Sequence, residues 1–350
     1  QKSALAVRNR VAPGRPFALG LRLSQAAAQE LSAPGRMDEF KAFLAENNLY
    51  APLINGFPYG RFHGGAVKEN VYAPDWTTDE RLDYTRLLAG LLAQWLPEGM
   101  SGGISTVPGS FRPWIRGPKE RREMIRRLLE MAASLERIWE SSGRLIHLGL
   151  EPEPGCFLET TGETVEFFQE LFAARPSARR HLGVCVDVCH LAVGFESPEE
   201  ALARYEAEGI RVSRIQISSA ISVHDWQQAE EALRGFDEPV YLHQVCARFP
   251  DGGLKKWTDL AGARGEWSGA EEIRAHFHTP LDWTGRGPLS STAACLPPEF
   301  FRLLASGITE FLEMETYTFH VLPEPLRRRS VEESLAAEYR WMLERLPLLT

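Results

Sequence analysis

Gly183-Val184-Cys185-Val186-Asp187-Val188-Cys189-His190 is an apolar run of strand length that closes on an aspartate, with a histidine three residues further on. An ionisable group in such a run costs on the order of a few kcal/mol unless it is paired, hydrogen-bonded or bound to metal. The pattern recurs along the chain. Leu148-Gly149-Leu150-Glu151-Pro152-Glu153-Pro154 ends a second apolar run with two carboxylates on one face. Arg214-Ile215-Gln216-Ile217-Ser218-Ser219 carries Gln216 inside a third, and Phe311-Leu312-Glu313-Met314-Glu315-Thr316-Tyr317 places Glu315 near the tip of a fourth. Singly, each has an ordinary explanation as a helix cap or an ion-pair partner. Four strand ends in series are the pattern that a divalent-metal site requires.

Seven apolar runs of strand length are legible: 18–23, 49–56, 103–107, 145–150, 182–188, 212–218 and 310–316. They alternate with helical stretches, which makes the sheet parallel and the fold α/β. Capping boxes are read at Thr77-Thr78-Asp79-Glu80, Thr160-Thr161-Gly162-Glu163, Ser197-Pro198-Glu199-Glu200 and Ser330-Val331-Glu332-Glu333. In each, a hydroxyl accepts from an orphan N–H while the glutamate three residues on reaches back. Pro118 opens the longest helix, which stops at Gly143. The chain opens on Gln1 inside a helical pattern, so an eighth strand is expected upstream. Eight such units make a (β/α)8 TIM barrel, read as a single domain over residues 1–350. One segment breaks the alternation. Around Asp251-Gly252-Gly253 a hairpin is expected, inserted after the strand carrying Gln216 (the seventh once the upstream one is included). The insertion, residues 225–280, should cover the barrel mouth.

The formal charge of -8 argues against a nucleic-acid partner, because a phosphate backbone calls for a basic surface. No apolar stretch approaches the roughly 18 residues of a membrane span, so no membrane insertion is expected. Five scattered cysteines with no Cys-x-x-Cys pair suit a reducing cytoplasm.

Glu at one strand end, Asp-x-x-His after the next, a polar residue on the third and Glu-Thr on the last resemble the xylose isomerase-like sugar epimerases and apurinic endonucleases. The resemblance implies a divalent ion (Mn, Mg or Zn) held by Glu151, Asp187, Gln216 and Glu315, with Glu151 and Glu315 also the catalytic proton-transfer groups. The family usually has His at the Gln216 position, and that departure favours Mn²⁺ or Mg²⁺ over Zn²⁺. More closely, the chain resembles the EboE family of bacterial metabolite-traffic proteins. That likeness rests on Ile54-Asn55-Gly56-Phe57-Pro58-Tyr59-Gly60, on the stretch through His63-Gly64, on Ile104-Ser105-Thr106-Val107-Pro108, on Gln216-Ile217-Ser218-Ser219-Ala220, on His276-Phe277-His278 and on Glu315-Thr316-Tyr317-Thr318. It implies a role in making or moving a small metabolite, with other proteins of an ebo-type pathway as partners.

In the endonuclease branch, residues matching His276 and His278 join the histidine of Asp-x-x-His around a further metal. His190, His276 and His278 are therefore either a second metal site or substrate hydrogen-bonding groups. The branch's strand-end histidine is absent where this chain reads Val107-Pro108-Gly109-Ser110, so a full trinuclear cluster is not expected. His63, on a glycine-flanked loop, is either a substrate contact or a solvated histidine, while His243 is read as structural. Cys185 and Cys189 share the face of Asp187 but are read as small core residues. Three functions follow. The leading one is a metal-dependent isomerase or epimerase of a sugar, cyclitol or related small metabolite. The others are metal-dependent hydrolysis of a small phosphoester, and non-catalytic carriage of a metabolite.

Overall fold

The computed structural model describes residues 2–60, 68–316, 318–323 and 329–346. In chain order its strands are β1 (Phe17–Arg22), β2 (Leu49–Asn55), β3 (Gly102–Thr106), β4 (Ile146–Leu150), β5 (Leu182–Asp187), β6 (Arg211–Ile217), β7 (Ile221–Val223), β8 (Val245–Arg248), β9 (Leu254–Trp257), β10 (Glu272–Ala275), β11 (Leu289–Ser291) and β12 (Leu312–Met314). Strands β1 to β6 and β12 form one 7-stranded sheet, parallel in every pair and ordered β1-β2-β3-β4-β5-β6-β12. All seven expected strands are present. The sheet is a nearly closed barrel, with β1 and β12 at the ends of its order. The eighth strand expected before residue 1 lies outside the described residues.

Along β4, Ile146, Leu148 and Leu150 join one hydrophobic cluster with Leu128, Met131 and Leu135 of the Pro118–Ser142 helix. The alternate residues His147 and Gly149 turn to the lumen, and Glu151 follows them just past the strand. That helix stops at Gly143, whose φ of 70° is left-handed and suits glycine. On β6 the alternation breaks. Val184 pairs with Val212 but Cys185 with Arg214, so Ser213 is an extra residue. The bulge turns Arg214 and Gln216 to the side of Cys185 and Asp187. Inside the barrel Arg214 is fully buried, ion-paired with Glu313 of β12 and donating to Ile54 O at 2.7 Å. A Cβ on Gly20 would lie 1.8 Å from Glu313 Oε1, so a larger residue there would require the Glu313 carboxylate to shift.

Both the Thr160/Glu163 and the Ser330/Glu333 capping boxes form completely, and Ser197 accepts from Glu200 N. The box expected at Thr77–Glu80 does not form. Asp75 Oδ1 takes the Thr77 backbone N–H at 2.8 Å as well as its hydroxyl, and Thr78 Oγ1 donates to Asp75 O, so both hydroxyls are turned toward Asp75 and neither accepts from a helix N–H.

The inserted hairpin is real but belongs to something larger. Strands β8 and β9 pair antiparallel around Asp251-Gly252-Gly253, as the last two strands at one side of a 5-stranded sheet ordered β11-β7-β10-β8-β9. The sheet starts at Ile221 and ends at Ser291, beyond the expected 225–280. Its inner strands were hidden by polar residues that satisfy one another. Glu272 of β10 accepts from Ser222 of β7 at 2.7 Å, from Arg274 at 2.7 Å and from Arg248 at 2.8 Å.

Candidate metal centre

At the C-terminal ends of the strands, β4, β5 and β12 bring Glu151, Asp187 and Glu315 together. One ligand atom from each lies within 4.8 Å of the others. Asp187 caps the short helix after β5: its Oδ1 accepts from Cys189 N at 2.7 Å, His190 N at 3.3 Å and Ser218 Oγ at 2.6 Å. Its Oδ2 is buried without a hydrogen-bond partner, 3.8 Å from His190 Nε2 and 3.6 Å from His278 Nε2. Glu315 Oε1 accepts from Arg22 Nη2 at 3.2 Å and Asn55 Nδ2 at 3.5 Å. Glu315 Oε2 and Glu151 Oε2 are also buried and unpartnered. Three carboxylates so close, each with one buried oxygen lacking a hydrogen-bond partner, fit a divalent cation, which oxygen ligands hold at about 2.0–2.6 Å.

The electrostatics agree. Burial, with Glu315 and Asp187 close by, pushes the Glu151 carboxyl well above its usual range. Burial and Asp187 push Glu315 up to about 8, against the pull of Arg22. Burial acts to raise Asp187 too, but His190, His278 and the Ser218 hydrogen bond outweigh it and hold it low. Gln216 is fully buried and sits between Asp187 and Glu313 in register. The Cys185 thiol donates to its Oε1 at 3.1 Å, and its Nε2 is unpartnered. The structure therefore sets Gln216 beside the carboxylates without lining the open pocket, whose walls include Glu151, Asp187 and Glu315.

A second cluster adjoins the first. His190 from the barrel meets His276 and His278 from the inserted sheet, with ring centroids 4.6 and 6.2 Å from that of His190. Each Nδ1 faces an acceptor: Pro152 O at 2.9 Å for His190, Gln244 Oε1 at 2.6 Å for His276, and Glu315 O at 2.8 Å for His278. Each Nδ1 therefore carries the proton, and each Nε2 presents a lone pair. His276 Nε2 and His278 Nε2 face each other at 3.3 Å. Burial drives the His278 pKa down to about 4 and holds that of His276 well below its usual value, so a shared proton is disfavoured. Two lone pairs so placed fit a cation. Cys189, His276 and His278 form a ligand-capable group within 4.8 Å, as do Glu153, His190 and His276.

His243 stands outside, its Nδ1 on His276 O at 2.9 Å and its Nε2 on Glu238 at 2.8 Å, a structural position. His63 lies outside the described residues. The pocket encloses about 540 Å³, mouth included, and Arg22, Asn55, Tyr72 and Tyr241 also line it. Sequence reading passed over Arg22 and Asn55, although they end β1 and β2 as Glu151 and Glu315 follow β4 and β12. The same strand-end rule would have found both. Gln244, just before a four-residue strand, offers no such signal.

The family model described as xylose isomerase-like TIM barrel matches residues 17–240, more than half of the chain. That stretch contains Glu151, Asp187, His190 and Gln216; His276, His278 and Glu315 lie beyond it. No curated protein matches the chain. Among solved structures, it is similar to a xylose isomerase domain protein from Alicyclobacillus acidocaldarius, at 16% identity over 99% of this chain and 91% of that one, with a TM-score of 0.50. It is also similar to the IolI protein with a bound zinc atom (12% identity, 98% and 91% covered, TM-score 0.49). A third is the 3-keto-D-glucoside 4-epimerase YcjR from E. coli (12% identity, 94% and 99% covered, TM-score 0.44). Nothing in these matches singles out the metabolite-traffic branch. With the family model and the barrel in agreement, the chain belongs to the xylose isomerase-like TIM barrel family.

Proposed function

We propose that the chain is a metal-dependent isomerase or epimerase of a sugar, cyclitol or related small metabolite, working in an ebo-type secondary-metabolite pathway in the cytoplasm. One observation carries the reading: Glu151 Oε2, Asp187 Oδ2 and Glu315 Oε2 are buried and unpartnered within a group spanning no more than 4.8 Å. Gln216 is the fourth ligand in this proposal, and the oxygen-rich set favours Mn²⁺ or Mg²⁺. A bound ion would polarise the oxygens beside a reacting C–H and stabilise the charge left when its proton departs. Glu151 and Glu315 approach from β4 and β12, strands three places apart in the sheet order, and so can remove and return a proton on two sides of one carbon. Arg22 and Asn55 hold Glu315 Oε1 and fix the direction of that carboxylate.

The facing lone pairs of His276 and His278 favour a second ion, and two ions support a second reading, hydrolysis of a small phosphoester. Zn²⁺ suits three imidazoles. The test is elemental analysis of protein purified without added metal, followed by incubation with polyol-derived ketones in ²H₂O. Expected are bound metal and replacement of a substrate C–H by C–²H, reduced roughly 10²- to 10⁴-fold by Glu151→Gln. Phosphate release from phosphoesters without C–H exchange would replace the first reading by the second. Metal-free protein that binds the ketone unchanged would leave only a carrier.

A further inference from the structure

The inserted sheet contributes more than two histidines. Gln244 Nε2 lies 3.0 Å from Tyr72 Oη, 2.9 Å from Glu153 Oε1 and 3.0 Å from Pro154 O. A carboxylate and a carbonyl only accept, so the amide nitrogen must be on that side, and Oε1 must be the atom facing His276 Nδ1. The backbone repeats the link, with His276 N donating to Gln244 O at 2.8 Å. On the far side Tyr72 Oη donates to Glu153 Oε1 at 2.8 Å. One amide therefore holds a histidine through its oxygen and a carboxylate through its nitrogen. Those two residues, with His190, make up one of the groups able to hold an ion.

We infer that Gln244 is the positioning residue of the histidine site, fixing His276 as the Nδ1–H form so that its Nε2 lone pair faces His278 Nε2. The inference rests on the second-ion reading above. Without the Gln244 oxygen, His276 is free to move its proton to Nε2 and donate it to His278 Nε2, 3.3 Å away, which closes the space an ion would occupy. Partners of this kind that orient a ligating histidine typically change metal affinity by roughly 10–100-fold.

The test uses the full chain, titrated with Zn²⁺ and Co²⁺ against a competing chelator. Histidine side-chain ¹H–¹⁵N spectra of the metal-free protein report the tautomers. In Gln244→Met, second-ion affinity should fall roughly 10- to 100-fold while the carboxylate site keeps its own, and His276 should lose its Nδ1–H form. Gln244→Glu keeps an acceptor for His276 Nδ1 while losing the donor to Glu153, so recovery of the Nδ1–H form in that variant assigns the tautomer to the acceptor rather than to packing. A parent that binds two ions, with Gln244→Met binding both as tightly, overturns the role of Gln244 alone. A parent that binds a single ion overturns the second-ion reading and this inference together.

Discussion

Glu315 shows what a single residue reveals in sequence and what it withholds. A carboxylate at the end of an apolar strand is legible because burial there demands a partner. Its partner Arg22 lies 293 positions away and could be named only once the barrel had formed. Arg214 lies two residues before Gln216 in the same strand, but the bulge at Ser213 that turns it inward leaves no trace in residue type. Two predictions belong here. If an ion offsets the repulsion among Glu151, Asp187 and Glu315, chelation should lower the melting temperature, since ligand at about 100 times its Kd stabilises by about 2.7 kcal/mol. Glu315→Gln should shrink the response of melting to chelator; an undiminished response would show that the ion binds elsewhere. The second concerns the fully buried Arg214. Arg214→Met strands the Glu313 carboxylate and should cost about 3–5 kcal/mol in denaturant melts. Adding Glu313→Gln should recover part of that loss. Additive costs in the double variant would show that the two residues do not act as a pair.

Elements were read best where local chemistry decides them. The seven strands and the 25-residue helix from Pro118 announced themselves by period and punctuation. The box at Thr77 failed because Asp75, two residues earlier, competes for the same hydroxyls, and a four-residue signature does not register such a rival. The last helix, Val331–Leu343, is held to the end of β12 by Glu338, a link between elements that no local pattern shows. Glu338 Oε2 accepts from Thr316 Oγ1 at 2.6 Å and Leu281 N at 3.3 Å. Burial, with Asp282 nearby, pushes this carboxyl from 4.5 up to about 7 despite those bonds. A carboxyl whose pKa is raised on folding contributes stability below its unfolded value of 4.5 and loses it as pH rises through 7. The melting temperature of the parent relative to Glu338→Gln should therefore fall steadily from pH 4.5 to 7. A difference that stays constant across that window would show that folding leaves the Glu338 pKa unchanged.

At the scale of the whole molecule, the site belongs to two sheets at once. Asp187 and His190 come from the barrel, whereas His276 and His278 come from the antiparallel sheet inserted between β6 and β12. The sequence showed only a hairpin there, since strands of three and four residues rich in Ser, Glu and Arg carry no apolar period. That sheet has its own core, including Ile221, Val245, Ile273 and Phe277. Between the two bodies lies a small apolar contact of Cys189, Val193, Ala220 and Cys246. Metal ligation across the junction would add to the polar contacts that already cross it, such as Gln244 to Glu153 and Arg274 to Ala192 O, and removing the ion should loosen the junction while sparing both cores. Hydrogen exchange should report this as amides of Gln244 and of residues 276–279 exchanging at least about tenfold faster after chelation, each tenfold being about 1.4 kcal/mol of local opening. Amides of β3 and of the Pro118–Ser142 helix should keep their protection. A uniform increase would mean that the metal stabilises the whole fold rather than the junction. No change near residue 276 would mean that the inserted sheet stays docked by its own packing, with the histidines acting on substrate alone.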